Sequence, residues 1–292
     1  MHLQNASRKK AKIKLGLQSP SGGGKTMSAL LIAYGLCGDW SRIAVIDTEN
    51  NSADLYAHLG AFKTLSLEPP YSPERYCEGI DICLEAGIEV IVIDSTSHEW
   101  DNLLDYHSSL PGNSFTNWGK VTPRHEAFVN KILQSNAHFI CTIRSKQEYV
   151  LSEKNGKQVP EKVGMKGVQR DNLEYEFTLV LELDMKQLAK ASKDRTGLFM
   201  GKPEFIPTIE TGRSILEWCN RGEDVPHIIT HEEVVKRIRS CSTTHELNTL
   251  YYAYPQYQQV LGPEFTARKN QINNIINQPN YSSNGISNRQ PS

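Results

Sequence analysis

Ser19-Pro20-Ser21-Gly22-Gly23-Gly24-Lys25-Thr26 follows a short apolar run, Ile13–Leu17, and precedes a helical apolar pattern, Met27–Leu36. A strand handed through glycines into a helix is the setting in which backbone wraps an anion. Phosphate oxygens need several N–H groups converging on them. Glycines let the backbone approach, and the positive end of the following helix adds attraction. The pattern G-x-x-x-x-G-K-[ST] asks for glycine where Ser19 stands. That residue shapes the entry to the loop, and the GGGKT end carries the contacts, so phosphate binding is expected to survive the departure.

As a P-loop, Ser21, Gly22, Gly23, Gly24, Lys25 and Thr26 would bind ATP. Lys25 would reach the β- and γ-phosphates, and the Thr26 hydroxyl would bind Mg²⁺. Glu89-Val90-Ile91-Val92-Ile93-Asp94-Ser95 is an apolar strand ending in a carboxylate. In open parallel sheets ligands sit beyond the carboxyl ends of strands, which gives Asp94 to the same Mg²⁺. Ser95 follows it, so the Asp-Glu pair many ATPases use to polarise water is absent. Ile43–Asp47 ends Ile46-Asp47-Thr48-Glu49, and Glu49 is the first choice to orient water in line with the γ-phosphate. Glu99 and Asp47 are weaker alternatives.

The chain has 292 residues, with Lys+Arg 32 against Asp+Glu 33 and a net charge of −1, so any polyanion site must be a local patch. No run reaches the 18 or so apolar residues a membrane span needs. The polar, basic start is not a secretory signal. Six cysteines form no C-x-x-C pair and read as reduced thiols of a cytoplasmic protein. Apolar runs at Ile13–Leu17, Ile43–Asp47, Phe62–Leu67, Val90–Asp94, His138–Ile143 and Phe177–Leu183 alternate with helical patterns, which predicts an α/β core with a mainly parallel central sheet. Ser72-Pro73 opens a helix that Gly87 closes, and Thr122-Pro123 opens another running to about Ser135. The expected layout is a core over 1–223, a small helical region over 224–276 with helices at Thr230–Arg239, Thr243–Tyr252 and Glu264–Ile276, and a disordered tail over 277–292.

GGGKT, Ile46-Asp47-Thr48-Glu49 and Ile93-Asp94-Ser95, in that order, resemble the RecA-like ATPase core. In that family the glutamate of I-D-x-E is the catalytic base, which the resemblance implies for Glu49. A later strand of the family ends F-I-N-Q-I-R, its glutamine sensing the γ-phosphate. This chain reads Phe139-Ile140-Cys141-Thr142-Ile143-Arg144, so Thr142 stands at the sensor position. Pro69–Tyr76, Ile93–Trp100, Val121–His125, Arg144–Lys146 and Gln169–Asp171 resemble more closely the phage Sak-four type of single-strand annealing ATPases, over residues 13 to about 220. That resemblance implies work on single-stranded DNA in homologous recombination or strand annealing, in a bacterial or phage-infected cytoplasm, with a single-strand DNA-binding protein as a further partner. Lys193-Asp194-Arg195 is similar to the K-x-R motif of RadA-like and DnaB-like ATPases. There the two cations reach the neighbouring subunit's γ-phosphate, which implies a homo-oligomer with ATP at the subunit interface.

Seven cations (Arg144, Lys146, Lys154, Lys157, Lys162, Lys166, Arg170) against Glu148, Glu153 and Glu161 give the stretch from Arg144 to Arg170 a net of +4. It contains the turn signal Asn155-Gly156. Those cations are read as the DNA-binding set, with Tyr149 available to stack on a base. The segment between Asp94 and the next helix, with Trp100, Tyr106, Phe115, Trp118 and Lys120, reads as a second DNA-facing loop or as packing against the core or a neighbouring subunit. Arg8, Lys9, Lys10, Lys12 and Lys14 form a basic arm, expected to be a solvated strand entry, with contact to DNA or a partner as the alternative. Three rival functions stay open: a P-loop enzyme acting on a small molecule, a non-catalytic regulatory subunit like the RecA paralogues, and a hexameric helicase.

Overall fold

The glycine loop joins β1 (Lys14–Ser19) to α1 (Lys25–Cys37), and strands and helices then alternate. β2 (Ile43–Asp47) leads through a 3-10 turn, Ser52–Leu59, to β3 (Lys63–Ser66), α2 (Pro73–Glu85) and β4 (Val90–Asp94). α3 (Ser97–Ser109) and α4 (Ser114–Gln134) precede β5 (His138–Lys154), which turns back as β6 (Lys157–Gly167). After α5 (Leu173–Glu176) come β7 (Leu179–Leu183), β8 (Ala189–Asp194) and α6 (Ile209–Asn220). The computed structural model describes residues 5–154, 157–170, 173–223 and 231–276.

The sheet order is β3-β2-β4-β5-β1-β7-β8. All neighbours on this path are parallel except β7 and β8, and β6 pairs antiparallel with the outer half of β5. The expected α/β architecture with a mainly parallel sheet is present. β2 and β4 are buried at every position, so both faces of the sheet must be covered. On one face Leu30, Ile32 and Leu36 of α1 and Ile215 of α6 pack on Leu15, Leu17, Val45 and Val92. On the other, Tyr76 and Ile80 of α2 and Phe128 and Ile132 of α4 pack on Ile46, Ile91, Ile93 and Phe139. Each of these large side chains contributes about 1.5–3 kcal/mol by leaving water. α1 and α6 meet backbone to backbone at Gly35 and Gly212, where a Cβ on Gly35 would lie 2.7 Å from the Gly212 Cα.

Three expectations are corrected. The helix expected to open at Pro123 begins at Ser114, because the Asn113 side chain caps it by accepting the Phe115 N–H at 2.8 Å; Pro123 lies inside it. The segment after Asp94 is accordingly the helix pair α3–α4 rather than a loop. Trp100 stacks on Trp118 at 5.9 Å, Trp118 on His107 at 4.1 Å, and Arg124 covers Tyr106, so of these aromatics Phe115 is the one strongly exposed, at 85%. The basic arm is not free either. The Arg8 guanidinium lies over Trp218 and bonds the Trp218 and Arg221 carbonyls, and buried Lys14 donates to the Ser135 and Ala137 carbonyls at 2.8 and 2.7 Å. Beyond these, β5 runs on past Ile143 to Lys154 as one arm of the β5–β6 ribbon.

The chain divides into the units Met1–Asp224 and Val225–Ser292. In the second, α7 (His231–Ser240), α8 (Thr244–Ala253) and α9 (Gly262–Ile276) enclose Val234, Ile238, Leu247, Leu261, Phe265 and Ile272. α8 opens with a reciprocal Thr243–Glu246 cap. The tail expected to be disordered lies outside the described residues. Among the described residues no helix is long and apolar enough to cross a membrane. All six cysteines are free thiols, and burial raises each of them.

Candidate functional site

Strand register assembles the site. Asp47 on β2 pairs with Asp94 on β4, while Leu17 and Ser19 of β1 pair with Thr142 and Arg144 of β5. β5 lies between β1 and β4, so Thr142 and Arg144 come out between the glycine loop and the two carboxylate-bearing strand ends. Ser21, Gly22, Gly24, Lys25, Thr26, Met27, Glu49, Ser52, Tyr56, Asp94, Arg144 and Gln187 line one cavity of about 440 Å³.

Gly22 and Gly24 hold φ of +83° and +81°, which the missing Cβ permits at little cost. Gly23 is wedged between the Ser19 side chain and the Asp184 carbonyl, so Ser19, where the motif prefers glycine, packs under the loop. The Lys25 ammonium donates to the Ser19 and Pro20 carbonyls, both at 3.1 Å. Burial lowers its pKa, against the pull of Asp94 and Glu49.

Asp94 is buried, and both its oxygens accept hydroxyl protons: Oδ2 from Thr26 and Oδ1 from Thr142, each at 2.5 Å. Burial raises its pKa and the two hydroxyls oppose the rise. An all-oxygen donor set of one carboxylate and a hydroxyl fits Mg²⁺, which takes one or two carboxylates together with substrate phosphates. Among the described residues no cluster of three or more His, Cys, Asp or Glu could hold a metal alone. A cation here would therefore share its coordination with the nucleotide. Thr142 is fully buried with its hydroxyl committed to Asp94.

Glu49 is carried on a turn built by Asp47, whose buried carboxylate accepts the Glu49 and Ala53 backbone N–H groups at 2.6 and 2.8 Å. Asn50 and Asn51 follow at positive φ, a conformation asparagine tolerates. Arg144 forks onto the Glu49 carboxylate, with Nε 2.7 Å from Oε1 and its second nitrogen on Oε2. Thr48 fixes the turn to β4 by donating to the Asp94 carbonyl, and it accepts the Ser95 N–H at 2.9 Å. His98 lies 2.8 Å from the Thr48 hydroxyl and stacks on Tyr71.

The alternatives to Glu49 do not face the cavity. Asp47 is occupied by backbone donors, and Glu99 is buried between α3 and α4 with His125 Nδ1 at 3.1 Å. Lys193 and Arg195 do not line the cavity; they bond carbonyls of α5, Lys193 those of Glu174 and Tyr175 and Arg195 that of Tyr175. Arg144 opens the ribbon and Lys146 is exposed on it. Arg170 lines a separate cavity of about 390 Å³ with His125 and Asn130. Lys154, Lys157, Lys162 and Lys166 lie on the paired strands, their side chains, like that of Tyr149, outside the described ones. Asn155-Gly156 also falls outside the described residues. The sequence reading missed Gln187 and Asp184, which reach the glycine loop from the β7–β8 turn; nothing local in that turn signals it.

A family model described as an AAA domain matches residues 11–207. A search of curated proteins finds no match.

Proposed function

The chain belongs to the AAA-domain family of P-loop ATPases, and from that premise we propose that it couples ATP hydrolysis to single-stranded DNA, in homologous recombination or strand annealing of the phage Sak-four type. The observation that carries this reading is the Glu49–Arg144 fork. Arg144 is the last β5 residue before pairing passes to the ribbon at Ser145–Gly167, and the ribbon lies within the Arg144 to Arg170 stretch whose net charge is +4. The residue that occupies the carboxylate best placed to orient water is thus the first residue of the proposed DNA-binding segment.

In this account Lys25 and the loop N–H groups hold the phosphates, and Thr26 and Asp94 would hold Mg²⁺, which would supply neutralisation of phosphate charge. Thr142 orients Asp94. With Arg144 on it, Glu49 is neutralised and held; DNA phosphates that compete for Arg144 release Glu49 to orient the attacking water. Lys193 and Arg195 act on the nucleotide of an adjacent copy, a reading supported by their not lining their own chain's cavity and bonding α5 carbonyls instead.

The test is ATP hydrolysis with and without a single-stranded oligonucleotide, beside Lys25→Ala. Hydrolysis should rise with DNA, the rise should shrink between about 50 and 200 mM salt, and the variant should be inactive. Hydrolysis indifferent to DNA would favour a small-molecule enzyme, and nucleotide binding without hydrolysis a regulatory subunit. Mixing Glu49→Gln with Arg195→Ala protein should restore part of the activity each lacks, because some interfaces then join an intact glutamate to an intact arginine.

A further inference from the structure

The turn between β7 and β8 stands beside the glycine loop because β7 runs parallel to β1, so the two strands deliver their following loops to the same end of the sheet. The turn is rigidly built. The Asp184 carboxylate accepts the Lys186 and Leu188 N–H groups at 2.8 and 2.9 Å, and the Gln187 N–H donates to the Asp184 carbonyl at 3.0 Å. Gln187 is held at φ +64°, a left-handed conformation uncommon for a residue with a side chain. That backbone aims the carboxamide into the cavity that Lys25, Thr26 and Asp94 also line. Its Cδ lies 3.1 Å from where a Cβ on Gly24 would stand, beside the residue that caps α1. The carboxamide makes no hydrogen bond to any described residue, so both its donors are free for a ligand.

We propose that Gln187 is a nucleotide-binding residue whose carboxamide N–H groups donate to the phosphate chain, closing the phosphate site on the side opposite Glu49 and Arg144. The assignment rests on the glycine loop being the nucleotide site. It adds a contact from outside the loop, and it makes the β7–β8 turn part of the binding machinery. Because the carboxamide is packed against the glycine that caps α1, the contact is to phosphate common to ATP, ADP and GTP rather than to a base edge.

The test uses the full chain and fluorescent ATP, ADP and GTP analogues with Mg²⁺. Gln187→Gly removes the carboxamide and relieves the left-handed strain, so its melting temperature should equal or exceed that of the wild type. It should weaken ATP, ADP and GTP alike by roughly ten- to a hundredfold, the range for a hydrogen bond to a charged group. Gln187→Glu, which puts a carboxylate against phosphate, should weaken them further. Wild-type affinity in Gln187→Gly overturns the proposal, and so does a loss confined to the adenine nucleotides. Failure of the underlying site is separately visible: in that case wild-type and Lys25→Ala proteins would bind the analogues equally or not at all.

Discussion

Arg144 grips Glu49 with two nitrogens of its guanidinium, one of them 2.7 Å from Oε1, across 95 residues of sequence. Burial alone would raise the Glu49 carboxyl. The Arg144 hydrogen bond and charge outweigh it and leave the group below its ordinary range, so the pair is fully ionised at neutral pH. A depressed carboxyl stabilises the fold above its unfolded pKa and loses that contribution as pH falls through the folded value. Glu49→Gln keeps the size of the side chain and removes the carboxylate. It is expected to bind ATP normally and hydrolyse it about 10²–10⁴-fold more slowly. Nucleotide affinity measured beside the steady-state rate separates the two effects.

Thr142 is predicted to act through Asp94. Thr142→Val leaves Asp94 Oδ1 without its 2.5 Å donor in a buried site. The Mg²⁺ concentration needed for half-maximal hydrolysis should rise about tenfold, in line with the usual cost of losing a metal ligand's supporting hydrogen bond, and Thr142→Ser should restore it. A Mg²⁺ titration that is the same for Val and wild type would show that the hydroxyl does not position the carboxylate.

The α1–α6 crossing tolerates no side chain. A Cβ on Gly212 would fall 2.8 Å from the Gly35 Cα, so Gly212→Ala or Gly35→Ala must push two backbones apart. Each is expected to lower the unfolding free energy of the first unit by about 1–3 kcal/mol, the usual cost of overpacking. Gly119, with nothing near its Cβ position, is the control in urea denaturation and should shift little by comparison.

Burial, with Lys12 and Lys14 nearby, lowers the His138 pKa to about 3, and its Nδ1 accepts the Ile13 N–H at 3.1 Å. The unfolded chain therefore takes up a proton between about pH 6.5 and 3 that the folded chain refuses, so stability falls as pH falls through that window. The expected loss from this group is about 2 kcal/mol between pH 7 and 5. His138→Asn keeps an acceptor for Ile13 and should lose less over the same interval in urea denaturation. Equal losses would remove His138 from the acid sensitivity.

β2 and β4 have the bounds their sequences suggest, because a fully buried strand ending in aspartate has few other ways to fold. Ser19–Thr26 was legible for a similar reason: one contiguous stretch carries the whole loop. Pro123 misled because proline marks the first turn of a helix yet can also lie within one; here the Asn113 cap ten residues earlier set the start. The length of β5 was hidden since the residues beyond Arg144 are polar and pair only with each other, in a ribbon off the main sheet. The Thr142–Asp94, Arg144–Glu49 and Gln187–Gly24 relationships depend on strand register and on a distant turn. Motif spacing carries no information about either.

The most direct measurement is ATP hydrolysis by Arg144→Ala beside wild type, with and without single-stranded DNA at concentrations shown by anisotropy to saturate both proteins. If Arg144 restrains Glu49 until DNA draws it away, the variant without DNA will hydrolyse ATP at or above the wild-type basal rate, and added DNA will raise it no further. DNA stimulation of wild-type size in the variant would contradict the account.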